Sequence, residues 1–247
     1  MLVRHGAAGP VRFARSGRIV RYGGVWAVPA APAGAPGPLA VLAWSPDSRR
    51  LLFYVDPMGS ASIAADGIEL QMIGVAGGKP RTVVPMLAYP DYIAWCGPRL
   101  VVTAGGSRLA TESKWLALAA PPDWRVQRVV VGPTRAWGSV ACASGGARLA
   151  AQSQPVSHGA SFFATRWSLW SIGLDGVATR LTAPPRGYAD ESPRWSRRGT
   201  SLLFVRSKRG SGKLYFWRAG RAQGPLAKLG YSLGYYGHRD WWQAADW

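Results

Sequence analysis

Leu42-Ala43-Trp44-Ser45-Pro46-Asp47-Ser48-Arg49-Arg50-Leu51-Leu52-Phe53 sets a bulky aromatic residue ahead of a short polar turn and an apolar strand. The same order returns at Trp195-Ser196-Arg197-Arg198-Gly199-Thr200-Ser201-Leu202-Leu203-Phe204, and in weaker form over residues 13–20, 95–102 and 142–150. The leading residues Phe13, Trp44, Trp95, Cys142 and Trp195 lie 31, 51, 47 and 53 residues apart, and Trp247 stands 52 residues further on. A period near 50 that recurs this often is an internal repeat.

Each repeat has the same interior. A second apolar strand is expected over residues 69–75, 114–119, 167–174 and 214–217. A turn follows at Gly77-Gly78, Pro121-Pro122-Asp123, Asp175-Gly176 and Ala219-Gly220, where Asp-Gly and Gly-Gly tolerate positive φ. Residues 81–84, 126–131, 178–182 and 226–229 then close the unit. No amphipathic helical period interrupts these strands. Four short antiparallel strands per unit, repeated, describe the blades of an all-β propeller. The expected blades are a partial one at 10–39, then 40–88, 89–135, 136–187 and 188–230, all within a single domain spanning 1–247. Residues 231–247 either close a five-bladed ring or begin a further blade. A blade cannot bury both faces alone, so the recurring tryptophans are expected to pack between neighbours.

These residues also carry a family resemblance. Residues 42–53 and Glu191-Ser192-Pro193-Arg194-Trp195-Ser196 resemble the WSPDG-type repeat of TolB-like (WD40-like) β-propellers. Residues 72–81, and 169–176 with Arg180-Leu181-Thr182, are similar to that repeat's inner hairpin and closing strand. The resemblance implies a non-enzymatic scaffold that binds a protein or ligand through its loop face. It also implies an alternative, the gating propeller of a prolyl-oligopeptidase-like serine peptidase whose catalytic domain lies outside this chain. Propellers of this family close with six or more blades, so the chain is expected to be an open part of a longer ring. The resemblance further implies a periplasmic or envelope location if the N-terminus is incomplete; otherwise the location is cytoplasmic.

Composition sets outer limits. The 247 residues are 48% hydrophobic, enough to fill a core, so global disorder is excluded. Two cysteines exclude a disulfide framework. Neither a signal-type apolar segment in the first thirty residues nor a run of about 18 apolar residues is present, so no membrane span is expected. The formal net charge is +18, from 25 Arg and 5 Lys against 12 acids. That charge raises a third reading, a basic nucleic-acid-binding surface. The arginines are scattered rather than clustered, so the sequence favours a basic coating over that reading.

Sites of chemistry are few. A G-x-S-x-G elbow is absent, so no hydrolase triad and no catalytic residue is assigned. Gly210-Ser211-Gly212-Lys213 lacks the remainder of a phosphate-loop motif and reads as a basic hairpin. His5, His158 and His238 lack ligand spacing, so neither a metal nor a cofactor is expected. Cys96 and Cys142 fall at or beside one repeat position; they read as small buried apolar residues, with a disulfide as the alternative. The tail is the one unusual segment. Tyr235, Tyr236, His238, Arg239, Trp241 and Trp242 form a candidate partner-binding patch on the connection after the last full blade. The competing reading packs Tyr235, Trp241 and Trp242 between blades and pairs Asp240 with Arg239.

Overall fold

The computed structural model describes residues 2–4, 25–27, 39–55, 63–129, 134–158 and 166–241. Phe13, Trp242 and Trp247 lie outside the described residues. A short antiparallel ribbon joins β1 (Leu2–Arg4) to β2 (Val25–Ala27). Four antiparallel blades of four strands follow, each wound in chain order. The first holds β3 (Leu39–Trp44), β4 (Arg50–Val55), β5 (Ile68–Gly74) and β6 (Arg81–Met86). The second holds β7 (Ile93–Cys96), β8 (Arg99–Ala104), β9 (Trp115–Ala119) and β10 (Val126–Arg128). Then come β11 (Arg135–Cys142), β12 (Arg148–Pro155), β13 (Ser168–Gly173) and β14 (Ala178–Arg180). The fourth blade is β15 (Ala189–Trp195), β16 (Ser201–Lys208), β17 (Ser211–Arg218) and β18 (Arg221–Tyr231).

The repeat is visible as register. Trp44 stands opposite Leu51, Trp95 opposite Leu100, Cys142 opposite Leu149 and Trp195 opposite Leu202. Successive residues on a strand face opposite sides, so the second strand of a blade serves both neighbours. Leu100 and Val102 turn toward the first blade with Leu52 and Met86, while Val101 turns toward the third with Trp137 and Leu149. Ala150 in turn meets Leu202 and Phe204 of the fourth blade. Each large aliphatic side chain buried this way contributes about 1.5–3 kcal/mol.

Polar pins reinforce the seams. The first strands β3, β11 and β15 each carry a bulge. At the bulge of β11, the Gly138 carbonyl accepts a bond from Thr103 Oγ1 of the second blade at 2.7 Å. At the bulge of β15, the Ser192 amide donates to Gln152 Oε1 of the third blade at 3.0 Å. A Cβ on Gly138 would fall 2.5 Å from the Gln152 side chain, which explains glycine there.

The tryptophans buried most deeply are Trp137 and Trp167, outside the anchor position. Of the anchors, Trp195 is buried in the core shared by the third and fourth blades, and Trp44 and Trp95 are half-buried, Trp95 against the core shared by the first and second. One expectation needs correction. Cys96 and Cys142 are joined in a disulfide rather than packed as free thiols. Their strands, β7 and β11, lie side by side, which brings the two Cα atoms to 5.4 Å, well within bridging range.

The blades share one polarity, so the molecule has two distinct ends. Turns 45–49, 97–98, 143–147 and 196–200 join first to second strands, and turns 75–80, 120–125, 174–177 and 219–220 join third to fourth. The pairings Arg50 with Gly74, Leu100 with Ala119, Arg148 with Gly173 and Ser201 with Arg218 bring both sets together at what we call the turn end. The connections between blades, and between second and third strands, emerge at the opposite, crossover end.

Candidate functional site

The tail after β18 turns inward at the crossover end. Its Tyr235 amide bonds the His238 carbonyl at 2.6 Å, and the His238 amide bonds the Tyr235 carbonyl at 3.0 Å. Tyr236 (φ 48°) and Gly237 (φ 86°) form the two-residue turn between them, a conformation that suits glycine. The turn is pinned to the second and third blades and to the connection that enters the second. The Ala110 amide donates to the Tyr236 carbonyl at 2.8 Å, Tyr89 OH to the Tyr235 carbonyl at 3.2 Å, and Trp167 Nε1 to the Gly237 carbonyl at 3.4 Å.

His238 lies inside this fastening, 3% exposed. Its ring stacks on Tyr89 with centroids 3.8 Å apart, and Tyr92 meets it edge-on. Nε2 sits 2.9 Å and 3.1 Å from the two oxygens of Asp91, which also accepts the Ser139 hydroxyl. Burial alone pushes the Asp91 carboxyl upward; the adjacent His238, the two hydrogen bonds and Arg194 outweigh it and hold the carboxyl below its ordinary value. Tyr92, fully enclosed, has its phenol raised well above the usual range by burial first, then by Tyr89, Asp91 and Glu191.

Arg239 forms the second buried anchor. Nη1 donates to Glu191 Oε1 at 2.8 Å, while Glu191 Oε2 accepts Ser207 Oγ at 2.6 Å and Trp241 Nε1 at 3.3 Å. The expected Asp240–Arg239 pair is therefore replaced by Arg239–Glu191. Asp240 remains exposed at the rim of a cleft. Beside these anchors, Arg206 clamps buried Asp190 through two bonds of 2.7 Å and 2.8 Å.

The candidate residues thus divide. His238, Arg239 and Trp241 are turned into the protein as fasteners. Tyr236 is half-buried, edge-on to Tyr235, with the Arg108 guanidinium 5.3 Å from its ring. Tyr235 is 40% exposed and lies on a cleft of about 560 Å³ lined also by Leu233, Tyr89, Ala64, Ala88 and Asp240. Leu233 and Tyr231 beside it are 58% and 62% exposed. Sequence reasoning missed Asp91, Glu191 and Leu233. The scarcity of acids was the available signal: with 12 in the chain, a carboxylate at Asp91 on an inter-blade connection and one at Glu191 in the first strand of a blade merit a search for buried partners.

Serine, histidine and aspartate meet here without forming a catalytic relay. Ser139 donates to the carboxylate rather than to the imidazole, and all three side chains are buried. The arrangement fixes the tail and holds the cleft's apolar rim outward. Among the described residues, no group of three metal-ligating side chains and no helix long and apolar enough to cross a membrane is present.

No family model and no curated protein matches the chain. Solved structures do. TolB from Acinetobacter baumannii aligns with a TM-score of 0.50 at 13% identity, over 79% of this chain and 44% of its own. A TolB homologue from Agrobacterium tumefaciens aligns at 0.50 and 14% identity, over 81% of this chain and 83% of its own. Prolyl oligopeptidase B from Galerina marginata aligns at 0.53 and 15% identity, over 78% of this chain and 27% of its own. The chain thus spans less than half the length of two of these three, and the likeness is one of architecture. Its fold is that of a TolB-like β-propeller.

Proposed function

We propose that this propeller is a non-enzymatic scaffold that binds a protein partner at its crossover end, in the cleft beside the tail. The observation that carries the reading is the exposure of Leu233 and Tyr235 on one cleft, with Tyr231 exposed just before them, while Gly237, His238, Arg239 and Trp241 after them are buried. Exposed aromatic and aliphatic side chains on a rigid base are what a protein interface uses for its energetic centre. Asp240 at the rim adds a carboxylate, so the preferred segment of the partner is apolar with a basic flank. The likeness to TolB supports a binding role for the same architecture.

Site-directed photocrosslinking tests it. A crosslinker at Leu233 is expected to capture a discrete partner from extracts of the source organism, and Tyr235→Ala to abolish that capture. A crosslinker at Val177, exposed at the turn end, serves as control. Equal products from both positions, or capture unaffected by Tyr235→Ala, would contradict the assignment.

A further inference from the structure

The scattered arginines of the sequence are gathered by the fold. First-to-second-strand turns carry Arg49, Arg99, Arg148, Arg197 and Arg198 to the turn end, and third-to-fourth-strand turns add Lys79, Arg125, Arg218 and Arg221. All nine are exposed. The acids found there are committed to their own turns: Asp47 accepts the Arg49 amide, Asp123 the Arg125 amide and Asp175 the Val177 amide. At the crossover end Arg108 pairs with Asp66, Arg206 with Asp190 and Arg239 with Glu191, while Arg166, Arg186, Lys208, Arg209 and Lys213 stand exposed there. The turn end thus gathers nine exposed cations from all four blades on one surface.

The turn end is also continuous. The Ser144 hydroxyl donates to the Arg197 carbonyl, Arg148 Nη2 donates to the Gly199 carbonyl at 2.8 Å, and the disulfide ties residue 96 to 142. Within it, a cavity of about 470 Å³ is lined by Ser196, Arg197, Arg198, Thr200, Ser201 and Arg218. Among the described residues, no carboxylate lies within ion-pair distance of those three arginines.

We infer that the turn end is a docking surface for the phosphate backbone of duplex nucleic acid, bound by charge and without regard to sequence. Guanidinium forks next to hydroxyls are the donors that phosphate oxygens take. Of the described large apolar residues that are exposed, Val177 belongs to this end, Leu226 to the middle of β18, and Tyr231, Leu233 and Tyr235 to the other end. A surface so poor in apolar anchors suits a polyanion better than a protein. This inference is independent of the crossover-end reading.

Fluorescence anisotropy with a labelled random-sequence duplex of about 20 base pairs tests it on the full chain. If about five phosphates are neutralised, affinity should fall about 500-fold between about 50 and about 200 mM salt. Arg197→Glu with Arg198→Glu should weaken binding more than tenfold at low salt, and Arg218→Glu should do so separately. Arg209→Glu with Lys213→Glu, at the crossover end, should leave affinity unchanged, with thermal melts confirming that every variant is folded. The inference is overturned by absent or salt-insensitive binding, or by equal weakening from the crossover-end pair. It is also overturned if a poly-glutamate peptide of equal charge competes as well as unlabelled duplex, which would make this a surface for acidic proteins.

Discussion

At the turn end, hairpins of matching register set Cys96 against Cys142, Ser144 against Arg197 and Arg148 against Gly199. At the crossover end, residues 232–241 reach the 87–92 connection and strand β15 through side chains that recur nowhere in the repeat. The first end is held by hairpins that stand at equivalent positions in successive blades, tied once by the Cys96–Cys142 disulfide. The second is held by two buried side-chain pairs, His238–Asp91 and Arg239–Glu191, bridging 147 and 48 residues. Repetition spreads stability over many seams, whereas the tail concentrates it in a few buried groups.

That contrast can be broken by mutation. Glu191→Ala should have the largest effect, because it removes the carboxylate that accepts at once from buried Arg239, Ser207 and Trp241. Removing one member of a buried pair costs about 3–5 kcal/mol, to be read by denaturant unfolding. At the turn end, Cys96→Ala with Cys142→Ala opens a loop of sequence separation 46. Loop entropy puts that loss at about 4 kcal/mol. A loss in Glu191→Ala no greater than that of a surface substitution would dissolve the distinction between the ends.

Acid sharpens it further. The Asp91 carboxyl is held below its ordinary value in the folded protein. Its contribution is therefore complete above about pH 5 and is lost as pH falls through the unfolded value of about 3.9 toward the folded one. Melting temperatures of the wild type and Asp91→Asn should differ most near neutrality and converge as pH falls toward about 3. A constant difference would show that the pair does not titrate as described. Tyr235→Ala should be the mildest change, costing about 1 kcal/mol because the residue is 40% exposed and its ring packs edge-on against Tyr236. Its main effect should appear in partner capture.

The same two ends explain what could be read from the chain. Trp44, Trp95, Cys142 and Trp195 were recognisable because each occupies one register position opposite Leu51, Leu100, Leu149 or Leu202, and a repeat exposes itself by self-similarity. The tail was recognisable only as unusual. Whether His238 and Arg239 faced solvent or the interior depended on Asp91 and Glu191, which no local pattern connects to them. The clustering of arginine at the turn end was likewise hidden: residues scattered in sequence are brought onto one surface once every blade places its tight turns at the same end. For the tryptophans, recurrence marks a structural position without fixing its depth.

Hydrogen exchange tests most directly whether the tail is a built-in fastener. The Ala110 and His238 amides, bonded to the tail turn at 2.8 Å and 3.0 Å, should exchange as slowly as amides in β11 and β12. Exchange of those two amides as fast as in the exposed turn at 75–80 would contradict the account.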